Sequence, residues 1–180
     1  MIEIFLLSLM QGVTEFLPIS SSSHLIIFSN YTNFEDQSLS IDVSLHIGSF
    51  LAVITYFHKD IINFIKNKKI FFKVLIASLP VMMFGFFLIK TNLIEKLRTI
   101  EVIGWMTLLF GILLYISDKY ELKKKIDNDF NYNSAIFIGL FQIFSLIPGV
   151  SRSGVSITAA RFLNFDRVDA VKISFLLSIP

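Results

Sequence analysis

Three apolar stretches restrict the fold of this chain more than any other feature. They are residues 42–57, 70–89 and 101–117, and each contains few charged side chains. A helix needs about 20 apolar residues to cross the roughly 30 Å hydrocarbon layer of a bilayer. The whole chain is 54% hydrophobic, whereas a soluble domain is about 45–50% apolar. The sequence therefore predicts an all-α integral membrane protein.

The charges of the connecting segments give these helices a direction. Lysines are concentrated in 58–69 and 118–133, whereas 29–41 contains neither Lys nor Arg. Because basic loops tend to stay on the cytoplasmic side, we expect the first two connectors in the cytoplasm and the third outside. The 90–100 connector weakens the pattern, since it is basic yet has to lie outside.

Two further apolar segments are interrupted near their middle by proline. Residues 2–28 are broken at Pro18, and residues 134–163 are broken at Pro148-Gly149. Each arm is too short to cross a bilayer comfortably. We therefore expect two re-entrant helical hairpins, of which the first enters the membrane from outside and the second from the cytoplasm.

The order of hairpin followed by crossing helix occurs twice, which predicts an inverted-topology repeat whose broken tips meet near the membrane midplane. Within a single membrane domain, 1–180, the first repeat is 1–100 and the partial second repeat is 101–180. The chain ends at Pro180 inside an apolar run. We expect it to be C-terminally incomplete.

The polar residues near Pro18 are candidates for chemistry. Gln11 and Glu15 are four apart and share a helix face, and a carboxylate at membrane depth is a functional candidate by default. The alternative is a shallow arm with a solvated Glu15. Residues 20–23 are serines that could simply cap a helix, and His24 alone is more often structural. Together they also suit a serine nucleophile activated by a base.

Arg152 lies at the break of the second hairpin, where a permanently charged guanidinium needs an anionic partner. Its planar fork suits phosphate or carboxylate. Ser151 and Ser153 flank it, and Gly149 and Gly154 leave the backbone open. A helix that restarts here directs its N-terminal N–H groups at the same anion. The alternative is a purely structural pair with the glutamate of the first hairpin.

Other polar residues rank lower as site candidates. We expect His46 to be packed or hydrogen-bonded, Trp105 to anchor a helix end at the interface, and His58 to have no assigned role. The lysines of 123–125 indicate topology and contact with anionic lipid, and we expect no nucleic-acid partner. From the residues alone, the two tips suit a phosphorylated ligand and the transport of an anion equally well.

Two blocks carry a family resemblance. The sequence QGVTEFLPISSSSHL (11–25), followed by PGVSRSG (148–154), resembles the undecaprenyl-pyrophosphate phosphatases, the bacitracin-resistance type of polyprenyl pyrophosphatase. The resemblance implies hydrolysis of undecaprenyl pyrophosphate to undecaprenyl phosphate and inorganic phosphate, which recycles the lipid carrier of cell-wall synthesis. It also implies a multi-pass protein of the bacterial cytoplasmic membrane with a site open to the outer face, and a divalent cation, Mg²⁺ or Ca²⁺.

The resemblance further implies catalytic roles for Glu15, Ser21, His24 and Arg152. Glu15 is also the expected metal ligand, His24 the expected proton carrier, and Ser21 either the nucleophile or a phosphate ligand, with direct attack by water left open. The expected substrate-binding residues are Gln11, Ser20, Gly149, Ser151, Ser153, Gly154 and Ser156. Ser156 departs from the family pattern, which usually has Thr there.

Three functions follow as hypotheses. The first is the phosphatase, with a polyprenyl pyrophosphate and membrane lipids as partners, the prenyl chain near Phe86 and Phe87, and the choice between monomer and homodimer open. The second is a transporter or lipid flippase for a phosphorylated ligand on the same scaffold. The third is a structural membrane subunit in which Arg152 and Glu15 are paired only to each other.

Overall fold

The structure, a computed structural model, describes residues 2–32, 38–91, 96–119 and 123–179, and every regular element in these ranges is a helix. The elements are α1 (Ile2–Thr14), α2 (Ser21–Thr32), α3 (Leu39–Tyr56), α4 (His58–Lys66), α5 (Lys68–Lys90), α6 (Ile100–Asp118), α7 (Ile126–Asp129), α8 (Tyr132–Gln142), a 3₁₀ turn (Ile143–Leu146), α9 (Arg152–Phe162) and α10 (Arg167–Leu176). The all-helical prediction is confirmed.

Helices α5 and α6 are long and apolar enough to cross a membrane. They have 23 and 19 residues and a mean hydropathy of 2.2 and 1.9 in their most apolar windows. Only 17% and 11% of those windows are buried inside the protein, unlike the core helix of a soluble domain. The apolar side chains therefore face the surroundings, as they do in a membrane protein.

The third predicted crossing segment, 42–57, is also helical, within α3. Its apolar part, Ser40–Tyr56, is shorter than the other two. A Ser38 hydroxyl accepts a hydrogen bond from the Ile41 N–H and caps the start of α3. Phe57 ends this helix, and the following connector contains the short helix α4, which buries Phe64.

The two predicted breaks are both present. Helix α1 ends at Thr14 and α2 begins at Ser21, so Pro18 lies between them. The second break separates the 3₁₀ turn from α9 and contains Gly149, whose φ is +102°. A Cβ at Gly149 would lie 2.7 Å from the Ile103 carbonyl oxygen. Because glycine tolerates both positive φ and this close approach, it allows the second break to pack against α6.

The core lies among α5, α8, α9 and α10. Its buried side chains include Val74, Ile138 and Ala160. Helix α8 approaches α5 very closely at Gly139, where a Cβ would lie 2.2 Å from the Ala77 carbonyl oxygen. Small residues at this crossing therefore allow the backbones to meet, which is typical of helix packing in membranes.

A group of charged side chains joins the end of α6 to α9 and α10. We call Asp118, Arg161 and Arg167 the junction cluster. Arg167 donates from Nε and from one terminal nitrogen to the two carboxylate oxygens of Asp118, each at 2.8 Å. Buried Arg161 donates to the carbonyl oxygens of Asp118 at 3.0 Å and of Phe165 at 3.2 Å. The cluster therefore ties three helices together at one point.

An ion pair outside the apolar helices continues from this cluster. Lys125 pairs with Asp166, which also caps α10 by accepting a hydrogen bond from the Asp169 N–H at 2.8 Å. The hydrogen bond from Lys125, and then that backbone N–H, lower the pKa of Asp166 from its ordinary value. The carboxylate form of Asp166 is therefore the one that the fold stabilises.

Candidate functional site

The two breaks and helices α3 and α10 enclose a cavity of about 630 Å³. This volume lies within the roughly 300–1,000 Å³ of small-molecule sites. Its polar lining includes Glu15, Ser20, Ser21, His46, Ser151, Arg152 and Ser153. Its apolar lining includes Phe50, Val53, Phe57 and Phe175. We call this space the tip cavity, because both breaks contribute to it.

Glu15 lies in the first break and is held by two short hydrogen bonds. Gln11, one turn earlier, donates from Nε2 to the Glu15 Oε2 at 2.9 Å. Ser21, the first residue of α2, donates from its hydroxyl to the same oxygen at 2.7 Å. The Glu15 side chain is only 16% exposed. These contacts orient the carboxylate, and they argue against the shallow, solvated arm.

Arg152 brings the second break to the same carboxylate. A terminal nitrogen of its guanidinium lies 3.3 Å from Oε1 of Glu15, across 137 residues of sequence. The Ser153 hydroxyl adds a second link, since it donates to the Leu17 carbonyl oxygen at 3.0 Å. The predicted meeting of the two breaks is therefore present in the structure. Both charged groups also line open space, so their pairing does not fill the tip cavity.

The start of α9 is built to hold Arg152. Ser151 is the N-cap, and its hydroxyl accepts a hydrogen bond from the Gly154 N–H at 3.2 Å. Arg152 is the first helical residue, with a side chain that is 46% exposed. An anion near this helix start also benefits from the positive end of the helix dipole.

The expected substrate-binding residues divide into two groups. Ser20, Ser151 and Ser153 line the tip cavity. In the described part of the chain, the other members, Gln11, Gly149, Gly154 and Ser156, do not belong to this lining. Gly149 and Gly154 shape the backbone, Gln11 holds Glu15, and the Ser156 hydroxyl donates to the Arg152 carbonyl oxygen at 2.8 Å. Their direct contact with substrate stays a prediction.

His24 and His46 differ in their relation to the tip cavity. His24 directs Nδ1 to the Ser20 carbonyl oxygen at 2.7 Å, and it is not among the described residues that line the tip cavity. His46 lines the cavity, with Nε2 3.4 Å from Oε2 of Glu15. The role of His24 as a proton carrier stays a prediction. The expected hydrogen bond of His46 is present, from Nδ1 to the Asp42 carbonyl oxygen at 2.7 Å, but its place on the cavity lining was not predicted.

A periodic signal in α3 could have identified His46. Ser49, Phe50, Val53 and Phe57 follow it at intervals of three, four, seven and eleven residues, and all of them line the tip cavity. This spacing places them on one face of a helix. A histidine at the start of a helix face that becomes apolar from Phe50 onward marks the polar end of that face.

The donor set fits a divalent cation that takes most of its ligands from elsewhere. Within the described ranges, no group of three or more His, Asp or Glu side chains is arranged to hold a metal ion. Glu15 offers a carboxylate, and the buried Oε1 of Gln11 has no hydrogen-bond partner among the described residues. Mg²⁺ commonly binds through one or two carboxylates together with substrate phosphates and water. The residues therefore suit a cation that binds together with a phosphorylated ligand.

Comparisons with known proteins match the chain to one family, and the match includes both breaks. A family model described as bacitracin resistance protein BacA matches residues 4–180. An undecaprenyl-diphosphatase of Pelagibacter ubique (strain HTCC1062) is 48% identical over 180 residues, which cover 99% of this chain and 70% of that protein. Proteins of the same name from Jannaschia sp. (strain CCS1) and Ruegeria sp. (strain TM1040) are 45% and 40% identical, covering 98% and 100% of this chain and 71% and 72% of theirs.

Proposed function

The chain belongs to the bacitracin resistance protein BacA family, and from this premise we propose that it hydrolyses undecaprenyl pyrophosphate to undecaprenyl phosphate and inorganic phosphate. The relatives that share 40–48% of its residues are named undecaprenyl-diphosphatase. The observation that carries the proposal is the meeting of Arg152 and Glu15, from separate breaks, at one cavity. A guanidinium beside a carboxylate can bind a diphosphate and its cation together.

The tip cavity suits both parts of such a lipid. Along α3 the lining changes from His46 to Phe50, Val53 and then Phe57, so the polar and apolar ends are separated by about 16 Å at 1.5 Å per residue. We place the diphosphate at the polar end and the first prenyl units along the apolar face. Phe86 and Phe87, near which the prenyl chain was expected from the sequence, are exposed. They are not among the described lining residues of the tip cavity.

The reaction that we propose uses Arg152 to bind the diphosphate and Glu15 to receive a proton. The Ser21 hydroxyl already donates to Glu15 at 2.7 Å, which is the contact a base needs to activate a nucleophile. Ser21 or a water attacks the terminal phosphorus, the bond to the bridging oxygen breaks, and undecaprenyl phosphate leaves. If Ser21 attacks, water then cleaves the phosphoserine. A bound divalent cation would neutralise charge on the phosphates.

We further propose a placement for the protein in the bacterial cytoplasmic membrane. The two breaks would be tips of re-entrant hairpins in an inverted repeat, and the tip cavity would open to the outer face. The crossing length of α5 and α6, the paired breaks and the lysine-rich connectors support this proposal. Cysteine accessibility at 58–69 and 118–133 in sealed cells tests the orientation, because both connectors should be protected from an external reagent.

The activity is tested by phosphate release from undecaprenyl pyrophosphate by purified protein in detergent, with Mg²⁺ or Ca²⁺ and then with a chelator. We expect release that depends on the cation. A parallel assay in sealed vesicles follows the lipid across the membrane. Translocation by a folded protein without phosphate release would replace the phosphatase with the transporter.

A further inference from the structure

We propose that His46 binds the diphosphate directly through Nε2, as a second protein donor beside Arg152. The inference rests on the proposed function of the tip cavity and adds a residue to its substrate-binding set. It depends on three observations: how the ring is anchored, what surrounds Glu15, and where the second ring nitrogen lies.

The ring of His46 is anchored from outside the cavity. Its Nδ1 lies 2.7 Å from the Asp42 carbonyl oxygen. The Asp42 carboxylate, only 5% exposed, accepts a hydrogen bond from Arg98 at 2.6 Å. This ion pair connects the first turn of α3 to the segment before α6. The position of the ring is therefore fixed by residues that do not belong to the described lining of the tip cavity.

The carboxylate of Glu15 does not account for the position of His46. Oε2 already accepts from Gln11 at 2.9 Å and from Ser21 at 2.7 Å. A carboxylate offers about four lone-pair sites over its two oxygens, so two donors occupy those of Oε2. The Nε2 of His46 lies 3.4 Å away, beyond the usual 2.7–3.2 Å of an N–H···O bond. It is a poor third contact to an oxygen whose sites are already occupied.

The second nitrogen of the ring is consequently available to a ligand. The His46 side chain is 41% exposed, and it lines the same cavity as Arg152. Glu15 is in contact with both, through Oε2 for His46 and Oε1 for Arg152. A diphosphate held beside Glu15 would bring oxygens to both donors. Because the Asp42 carbonyl oxygen can only accept, its bond to the ring needs a proton on Nδ1. Donation from Nε2 to a phosphate oxygen needs a second proton, so the ring that binds the diphosphate is the imidazolium.

Two amide substitutions separate the two nitrogens of the ring. In His46→Gln the side-chain amide nitrogen reaches the position of Nε2, whereas in His46→Asn it reaches only the position of Nδ1. We expect His46→Gln to keep a KM close to wild type. We expect His46→Asn to raise KM roughly tenfold or more, the effect of losing one hydrogen bond to a charged group. The change in kcat should be smaller, because a diphosphate contact of this kind exists before the transition state.

A binding measurement provides a readout that does not need turnover. Inorganic pyrophosphate with Mg²⁺ should raise the melting temperature of the wild type and of His46→Gln, and raise that of His46→Asn much less. His58→Asn is the matched control. In the wild type, Nδ1 of His58 also faces a carbonyl oxygen, that of Thr55 at 3.0 Å. His58 is exposed, however, and it is not among the described lining residues. We expect it to behave as the wild type does.

The outcomes distinguish this inference from the proposed function. If the wild type hydrolyses the lipid and both His46 variants match it, or both lose activity equally, donation through Nε2 is wrong. A raised KM in His46→Gln but not in His46→Asn also contradicts it. If the wild type releases no phosphate, the proposed function fails, and the pyrophosphate shift alone decides. A rise in melting temperature that is kept in His46→Gln and lost in His46→Asn supports the inference. Any other pattern, including no rise at all, overturns it.

Discussion

The tip cavity and the junction cluster both pair arginine with a carboxylate, but they use the pair in different ways. Arg167 makes two 2.8 Å bonds to Asp118, and Arg161 is 4% exposed and bonded to two carbonyl oxygens. In the cavity, Arg152 makes one contact of 3.3 Å with Glu15 and is 46% exposed. The pair type is the same, whereas the number of donors in use differs. Arg161 is also far more buried than Arg152, although Arg167 is more exposed than either.

This difference separates a structural arginine from a binding one. A guanidinium has five N–H donors in a fixed plane. In the junction cluster each arginine directs two nitrogens at oxygens of the protein, so the energy of the contacts stabilises the fold. In the tip cavity one long contact leaves the plane of Arg152 facing open space.

Replacement of Arg152 should remove activity and leave the fold intact. We expect Arg152→Ala to lower kcat/KM by roughly 10²–10³-fold or more, as the loss of a preorganised electrostatic donor does. Arg152→Lys should restore only part of the lost kcat/KM, because a lysine lacks the planar fork of the guanidinium. The melting temperature should hardly change, since a partly exposed pair contributes about 0–1 kcal/mol. Normal turnover in Arg152→Ala, or an unfolded protein, would show that the cavity pair is structural.

Replacement of Arg161 should have the opposite effect. Arg161→Met removes the bonds to the Asp118 and Phe165 carbonyl oxygens, and a hydrogen bond to a charged group is worth about 1.5–3 kcal/mol. We expect a clear fall in the melting temperature, with wild-type turnover per folded molecule. Lys123→Met, which removes one positive charge from an exposed side chain, is the control. A loss of specific activity without a loss of stability would contradict the distinction.

The sequence predicted those parts of the site that depend on local chemistry. Pro18 and Pro148-Gly149 interrupt apolar segments whose arms are short, and proline disfavours a continuous helix there, so both breaks were evident. Pro80, by contrast, lies inside the long helix α5. Glu15 and Arg152 are charges in apolar surroundings and need partners, which made their meeting predictable across 137 residues. No comparable rule about charge distinguished His24 from His46, for which the only local signal was the periodicity of the α3 face. Proximity to Glu15 along the chain favoured His24, whereas the packing of α3 places His46 on the lining of the tip cavity.

The charge pattern of the connectors shows a second limit of sequence reasoning. Counting basic residues treats all of them as topology signals, and the 90–100 connector weakened that pattern. The structure pairs its Arg98 with the nearly buried Asp42. Likewise Lys125, which the sequence analysis assigned to topology and lipid contact, pairs with Asp166. Partners so distant in sequence depend on the tertiary fold, and no local pattern identifies them.

Replacement of Arg167 should have a much smaller effect than replacement of Arg161, within the same cluster. Both Arg167 and Asp118 are well exposed, at 71% and 42%, and exposed pairs contribute about 0.2–1 kcal/mol. Arg167→Ala should therefore lower the melting temperature by a small amount that shrinks in about 1 M salt, where charges are screened beyond about 3 Å. A large decrease that does not depend on salt would show that Arg167 stabilises the fold as a structural arginine in spite of its exposure.

The contribution of the Lys125–Asp166 pair to stability should be small, and its dependence on pH should identify it. Because the pKa of Asp166 is lowered in the folded state, its contribution to stability is present above the unfolded value of about 3.9 and is lost as the pH falls below it. Lys125→Met should therefore melt below the control Lys123→Met, which removes the same charge, at pH 6. The two variants should converge as the pH falls below about 4. A difference that persists in acid would mean that Lys125 stabilises the fold through packing of its side chain, because the charge of Asp166 would then play no part.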